Sequence, residues 1–563
     1  MVNNQFNGST PVGYEALVAR FNLQVVPNWH HSRTGQSNLH QTHTDAGQVV
    51  EVYPRFLTPQ DSLGAQLEFA LKYDGTNLEI LSTLFEKAPE EELLAYIRSK
   101  PTGKYARRLW YLFELLTGRR LPIEDLTTAN YVDLLEADEY YTADPVQVRR
   151  QRVNDNLLGD ARFAPIVRRT GKLAEFEKKD ISGRCRQLLE GYPRDILRRA
   201  LSYLYTKETK SSFEIENVTL NASRTERFIA LLATAEKKDF FAKPELIDLQ
   251  NRIVDERFRD PDYRQSQNYV GESVSWREKI HFVSPKPADL PALMEGMFAA
   301  HRRMEAGKIQ AVVHAATIAF GFVYMHPFED GNGRIHRFLI HNILVRRGFT
   351  PPGTIFPVSA AMLQDKEAYD VALENFSVPL LPLVEYRLDY QGRMAVQNET
   401  ALRYRFIDMT AQTEALFVFV ERVIETDLVQ ELDFVRNYDT AKSALQAIVD
   451  MPDRLIDLFI RLCAQNKGVL SASKRRNHFS ILTDEEVAQM QQAIKESHLV
   501  HDEFVIEGPR SGDPAPLPRT PGVLRSRIRP DQTVLPGNDS PPYSPSSIPP
   551  ADLLSPGGSK PAA

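Results

Sequence analysis

Two cysteines in 563 residues, Cys185 and Cys463, are too few and too far apart for a disulfide framework or a zinc site built on thiolates. A reducing compartment fits that usage. No stretch approaches the roughly 18 consecutive apolar residues that a membrane span requires. The opening Met1-Val2-Asn3-Asn4-Gln5 lacks the basic start and apolar core of a signal peptide. A cytoplasmic protein without membrane contact is the expectation; an effector exported by a signal-free route would read the same. Positive charge is not in excess either. Lys and Arg number 68 against 74 Asp and Glu, a net −6, which argues against a nucleic-acid coat or a polybasic membrane binder. There is no internal repeat.

What is present is an ordinary globular composition, 42% hydrophobic and 25% charged, long enough for two to four domains. Residues 1–48 are polar, with His30, His31, His40 and His43 scattered among them, and read as a flexible arm. From 49 to 205 apolar residues recur at helical spacing: Leu78, Leu81, Leu84 and Phe85, then Trp110, Leu112, Phe113 and Leu116 with Gly118 as a C-cap. This predicts a helical N-terminal domain. Its arginines (Arg107, Arg108, Arg149, Arg150, Arg152, Arg168, Arg169) are expected to pair with nearby carboxylates, a nucleic-acid surface being the weaker alternative. Residues 206–380 hold a nearly all-apolar helix from Ile309 to Met325, the mark of a bundle centre. Residues 381–505 are again helical, with basic Ser473–Asn477 expected as a surface loop. Beyond 506 lie fourteen of the 36 prolines, which predicts disorder.

The chemistry concentrates between two central helices, in His326-Pro327-Phe328-Glu329-Asp330-Gly331-Asn332-Gly333-Arg334-Ile335-His336-Arg337. Gly331 and Gly333 at a helix start let backbone N–H groups approach a phosphate, and the helix N-terminus adds positive potential. Asp330 is a hard oxygen ligand suited to Mg²⁺ on phosphates. Arg334 and Arg337, three apart, share one helix face and can fork onto phosphate oxygens. His326 at the far end is suited to general-base work near neutral pH. Base, metal ligand, anion nest and two guanidinium groups are the parts of a nucleotidyl or phosphoryl transferase. The string is not a Walker A loop, since neither the spacing nor the Lys-Ser/Thr ending is there.

The same string resembles the signature of the Fic family, H-x-F-x-D/E-G-N-G-R-x-x-R, at every defined position. The resemblance implies an all-α fold: a Fic helical core with a short β-hairpin flap, flanked by helical domains. It implies a protein adenylyltransferase that moves AMP from ATP, with Mg²⁺, onto a Tyr, Ser or Thr hydroxyl of a target protein. In that picture His326 takes the hydroxyl proton and Asp330 holds Mg²⁺. Asn332 with the amides of Gly331 and Gly333 holds the α-phosphate region. Arg334 and Arg337 contact the β- and γ-phosphates and Phe328 anchors the loop inward; His336 reads as helix surface or packing. The intact Gly-Asn-Gly sets the chain apart from the family's kinase-like branch. Other expectations are self-AMPylation, a homodimer, and flanking regions like those on some bacterial Fic proteins. The alternatives are AMP removal, transfer of UMP or another phosphate-containing group, or a regulatory DNA- or protein-binding module with a silent core.

Two further segments follow from the resemblance. Ile280, His281, Phe282 and Val283 are similar to the Fic flap, which docks an extended target segment by backbone pairing. Ser212-Phe213-Glu214-Ile215-Glu216-Asn217 matches the inhibitory pattern S/T-x-x-x-E-G/N, upstream of the core and placed at the start of an amphipathic segment, with an inhibitory helix over about 206–235. Glu216 would then pair bidentately with Arg337 and deny it the γ-phosphate; Ser212 and Asn217 complete the pattern.

Overall fold

A polar strand can be a core strand when a buried acceptor waits for it. Strand β2 (His30–Thr34) turns His30, Ser32 and Thr34 inward. There Asp74, 1% exposed, takes His30 Nδ1 at 3.3 Å, the Ser32 hydroxyl, and the Tyr14 N–H at 2.9 Å. With β1 (Thr10–Val12), β3 (Gln41–Asp45) and β4 (Gln48–Tyr53) it forms a sheet in the order β1-β2-β4-β3, parallel only between β2 and β4. The described residues of the stretch expected as a flexible arm are therefore folded. Periodicity of apolar residues could not report it, because hydrogen bonds to Asp74 rather than greasy side chains hold its inner face. The computed structural model describes residues 8–36, 39–45, 48–274, 277–351, 353–499 and 525–526.

Helices α1 (Tyr14–Arg20), α2 (Leu63–Phe69), α3 (Leu78–Lys87), α4 (Glu90–Ser99) and α5 (Lys104–Thr117) close a first core around Leu81, Leu84, Trp110 and Phe113. Gly118, at φ 68°, caps α5. A three-stranded sheet of β5 (Val132–Asp133), β6 (Val146–Val148) and β7 (Val153–Asp155) follows. Arginines of this region are engaged within the fold. Arg107 donates to Asn130 O at 2.6 Å, Arg108 to Asp133 O at 2.7 Å, Arg150 pairs with Glu114 at 3.0 Å, and Arg168 with Asp408 at 2.8 Å.

The second core is the largest and gathers residues from Tyr141 to Val435. It takes α6 (Gly171–Lys178), α7 (Ile181–Glu190), α8 (Arg194–Glu214), α9 (Ala222–Leu232) and α10 (Lys243–Ile253), then the antiparallel hairpin β8 (Tyr269–Val274) and β9 (Arg277–Val283). Next come α11 (Leu290–Ala306), α12 (Ala311–Met325), α13 (Asn332–Arg346), α14 (Val358–Gln364) and α15 (Lys366–Leu380), the hairpin β10 (Tyr386–Leu388) and β11 (Met394–Val396), α16 (Ala401–Arg405), α17 (Thr410–Arg422) and α18 (Leu428–Ile448). Helix α12 is apolar on every side and sits between α11, α13 and α17, as its composition predicts.

The domain limits expected at 206 and 380 are not core limits. Helix α8 passes straight through 206, and α18 leaves Leu428, Leu432 and Val435 in the second core. The far end of α18 enters a third, smaller core with α19 (Asp453–Ala464), α20 (Ala472–His478) and α21 (Asp484–Glu496). The basic stretch 473–477 is helical, within α20, rather than a loop. The expected disordered tail lies outside the described residues except Arg525–Ser526, strand β12, which pairs antiparallel with β8. The protein is mainly helical with small sheets. Among the described residues no helix is long and apolar enough to cross a membrane.

Candidate active site

The twelve-residue string joins α12 to α13. Helix α12 stops at His326, which takes a left-handed conformation at φ 48°, ψ 56°. Helix α13 starts after Gly331, at φ 91°, where a side chain would be strained and would meet Val254. Between them the loop folds on itself. Asn332 Oδ1 accepts from Phe328 N at 3.0 Å, and its Nδ2 donates to Phe328 O at 2.7 Å. The Asn332 amide, expected to face a phosphate, thus spends both polar ends on the loop backbone. Phe328 is fully buried, edge-on to Tyr263 at 5.8 Å. His336 is packing, as expected: its Nδ1 lies 2.7 Å from Ala319 O and burial pushes its pKa down to about 3.

His326 Nδ1 lies 3.1 Å from Val323 O. A carbonyl only accepts, so Nδ1 carries the proton and Nε2 keeps its lone pair. Burial, with the Arg264 charge adding to it, lowers the His326 pKa to about 4. The ring is therefore neutral near pH 7 and able to accept a proton.

On the other side of the loop lies an anion cradle. Arg334 and Arg337 face one way from the first turns of α13 and are 4% and 1% exposed. Into that cradle comes Glu216. Its Oε1 is 2.8 Å from Arg337 Nη2 and its Oε2 is 2.8 Å from Arg334 Nε. It presses so close to the first turn of α13 that a side chain at Gly333 would collide with it. A carboxylate at a helix N-terminus between two guanidinium groups is a stand-in for a phosphate. Burial works against the Arg334 charge, and Glu216 with Asp330 more than restores it, leaving its pKa raised.

The pairing differs from the bidentate Arg337–Glu216 fork expected from the sequence. Arg337 already gives Nε to Ser212 Oγ at 3.0 Å and Nη2 to Ser212 O at 2.5 Å, so Glu216 spreads its two oxygens over both arginines. The motif also sits at the end of a helix rather than the start of one. Helix α8 finishes at Glu214; Glu216 N and Val218 N both donate to Phe213 O, at 3.1 and 3.0 Å, and Asn217 turns left-handed at φ 55°. That conformation is why Gly or Asn suits the last position of the pattern. The expected helix over 206–235 is two helices, α8 and α9, clasped by Phe213 edge-on to Phe228 at 5.3 Å.

Asp330 Oδ1 accepts from Gly331 N at 2.7 Å and from Arg334 Nη2 at 2.8 Å. Its carboxylate is about a third exposed beside the cradle, which suits a hard divalent cation riding on phosphates. The flap residues lie on β9: Phe282 and Val283 are buried, Ile280 and His281 half-buried, and His281 Nε2 is 3.3 Å from Glu272.

Sequence reasoning missed Arg264. It is 2% exposed and ties the loop to the root of the flap. Only its place in Tyr263-Arg264-Gln265, between an apolar-periodic helix and a strand, hinted at more than a surface residue.

Parts of the chain are similar to known proteins. Residues 240–344 match the Fic/DOC family. The protein adenylyltransferase Fic of Aedes aegypti is 31% identical over 117 residues, 20% of this chain and 22% of that protein. That of Drosophila mojavensis is 23% identical over 386 residues, 62% and 70% of the two chains. The chain thus spans about a fifth of the length of the first of these relatives. A Fic family protein from Desulfovibrio desulfuricans G20 aligns in structure with a TM-score of 0.35 at 16% identity, covering 55% of this chain and 94% of that one.

Proposed function

We propose that this Fic-domain chain is a protein adenylyltransferase that is held off by its own Glu216. The observation that carries the reading is the carboxylate seated between Arg334 and Arg337 at the N-terminus of α13, beside a neutral, buried His326. The curated relatives named protein adenylyltransferase Fic support ATP as the donor. The target is a protein carrying a Tyr, Ser or Thr hydroxyl, offered along β9.

In the reaction His326 Nε2 accepts the proton of the target hydroxyl as its oxygen bonds to the α-phosphorus. The bond from the α-phosphorus to the bridging oxygen breaks, and pyrophosphate leaves with the electron pair. Arg334 and Arg337 offset the charge that gathers on the leaving phosphates. Asp330 would hold Mg²⁺, which supplies charge neutralisation on the phosphate oxygens. With Glu216 in the cradle the γ-phosphate meets a like charge and loses Arg337, so ATP sits with its α-phosphate out of line for attack.

The test is AMP incorporation from α-labelled ATP with Mg²⁺, in a lysate and on the chain itself. The native chain should label weakly, Glu216→Gly strongly, and Glu216→Gly with His326→Ala not at all. Transfer of label from the γ-phosphate or from another nucleotide by Glu216→Gly, with none from α-labelled ATP, would overturn the AMP assignment.

A further inference from the structure

Arg264 stands five residues before the flap hairpin, in a segment with no role in the reaction described so far. Its guanidinium is buried and surrounded by carbonyls. Nε donates to His326 O at 2.8 Å, Nη1 to Ser266 O at 2.7 Å, and Nη2 to Pro285 O at 2.6 Å, while the Arg264 backbone N–H donates to Pro327 O at 2.9 Å. Pro285 lies two residues beyond the end of β9. One side chain therefore grips the catalytic histidine's own backbone and both roots of the flap. Asn268 repeats the link with a weaker bond, from Nδ2 to Phe328 O at 3.3 Å.

Two features make this grip consequential. His326 holds a left-handed backbone conformation, which a residue bearing a side chain adopts only when its surroundings impose it. The Arg264 bond to His326 O is one of the contacts that impose it. The direction of the imidazole, and with it the Nδ1–H bond to Val323 O, depends on that backbone. A buried guanidinium bonded to neutral carbonyls is also costly to keep, since burial pulls its pKa down to about 10.

We propose that Arg264 is a positioning residue that couples the flap to the base: it holds the His326 backbone so that Nε2 points at a hydroxyl docked along β9. It touches neither substrate nor phosphate and acts through His326 and the flap roots. This rests on the reading of His326 as the base, and it adds a residue outside the signature string.

The test uses the full chain in the Glu216→Gly background, with Arg264→Met, Arg264→Lys and the parent compared. Three quantities are read: kcat and KM for AMP transfer to the target or to itself, Mg²⁺–ATP affinity, and the imidazole ¹⁵N shifts of His326, assigned by their loss in His326→Ala. Arg264→Met should lower kcat about 100-fold, the scale for a misplacement of about 1 Å. ATP affinity should stay within about threefold, because the cradle is separate, and the Nδ1–H tautomer of His326 should be lost. Arg264→Lys, which keeps one or two donors, should fall between. Unchanged kcat, or an unchanged His326 tautomer in Arg264→Met, would overturn the proposal. So would kcat and ATP affinity falling together with the tautomer intact, the sign of a merely structural role. If the Glu216→Gly parent transfers no AMP, the transferase reading fails by itself, and the ¹⁵N shifts still decide whether Arg264 holds the histidine.

Discussion

Helix α8 meets the helices around α13 twice, and the two meetings are built differently. Near its middle, Glu208 is 1% exposed; it accepts from Ser359 N at 2.8 Å and Ser359 Oγ at 2.5 Å and faces His341 Nε2 at 3.1 Å. Two turns on, Glu216 is 24% exposed and faces Arg334 and Arg337. The first carboxylate is sealed among groups that belong to the fold. The second is part-exposed and lies between two arginines. A buried, fully bonded carboxylate is hard to break because each freed partner is left without solvent. A part-exposed one can be displaced by a ligand with matching charge. The chain is thus sealed at one point within α8 and part-exposed at another just past its end, the contrast on which the proposed inhibition by Glu216 rests.

Breaking the anchor should have the largest effect on the fold. Glu208→Ala strands Ser359 and His341 and is expected to cost about 3 kcal/mol, read as a lower denaturant midpoint, while AMP labelling below that transition stays closer to native than to Glu216→Gly. Breaking the exchangeable contact should do the reverse. Glu216→Gly is expected to raise labelling roughly 10- to 100-fold, the worth of a charged hydrogen bond of about 1.5–3 kcal/mol, with a midpoint shift smaller than that of Glu208→Ala. If Glu208→Ala activates as strongly as Glu216→Gly, the division between anchor and plug is wrong.

Acid sharpens the comparison from the side of α13. His336 and His326 are neutral in the fold, at about 3 and about 4, both because burial penalises the charged ring. The unfolded chain binds protons below about 6.5 that the fold refuses, so stability falls as pH drops from about 6.5 toward 4. By pH 5.5 each histidine should cost about 1.4 kcal/mol, checked by chemical denaturation at pH 7.5 and 5.5. His336→Gln should flatten that dependence. The smallest effect is expected from Ser212→Ala. It removes one hydrogen bond to Arg337 Nε and leaves the backbone carbonyl bond and Glu216 in place, so labelling should rise only about fivefold, for about 1 kcal/mol.

How much of this was legible depended on distance along the chain. Helix α12 declared itself by being apolar all round, and α3 and α5 by their spacing. The small N-terminal sheet did not, because His30, Ser32 and Thr34 are polar and Asp74, the partner of His30 and Ser32, lies some forty residues further on. The second core crosses the limits expected at 206 and 380, since packing joins helices irrespective of where the segment bearing the motifs is taken to start and stop.

By itself the sequence determined the local chemistry. A histidine, a carboxylate, a glycine-flanked helix start and two arginines on one face all lie within twelve residues, and loop and helix geometry alone bring them together. Tertiary structure decided everything that reaches them from afar. Glu216, 121 residues before Arg337, bridges two arginines rather than forking one, because Ser212 reaches Arg337 first. Arg264, 62 residues before His326, finds the histidine's carbonyl only because the flap and the loop fold against each other. Short-range spacing is fixed by bond geometry; long-range pairing is settled by which surfaces pack and which donors are already taken.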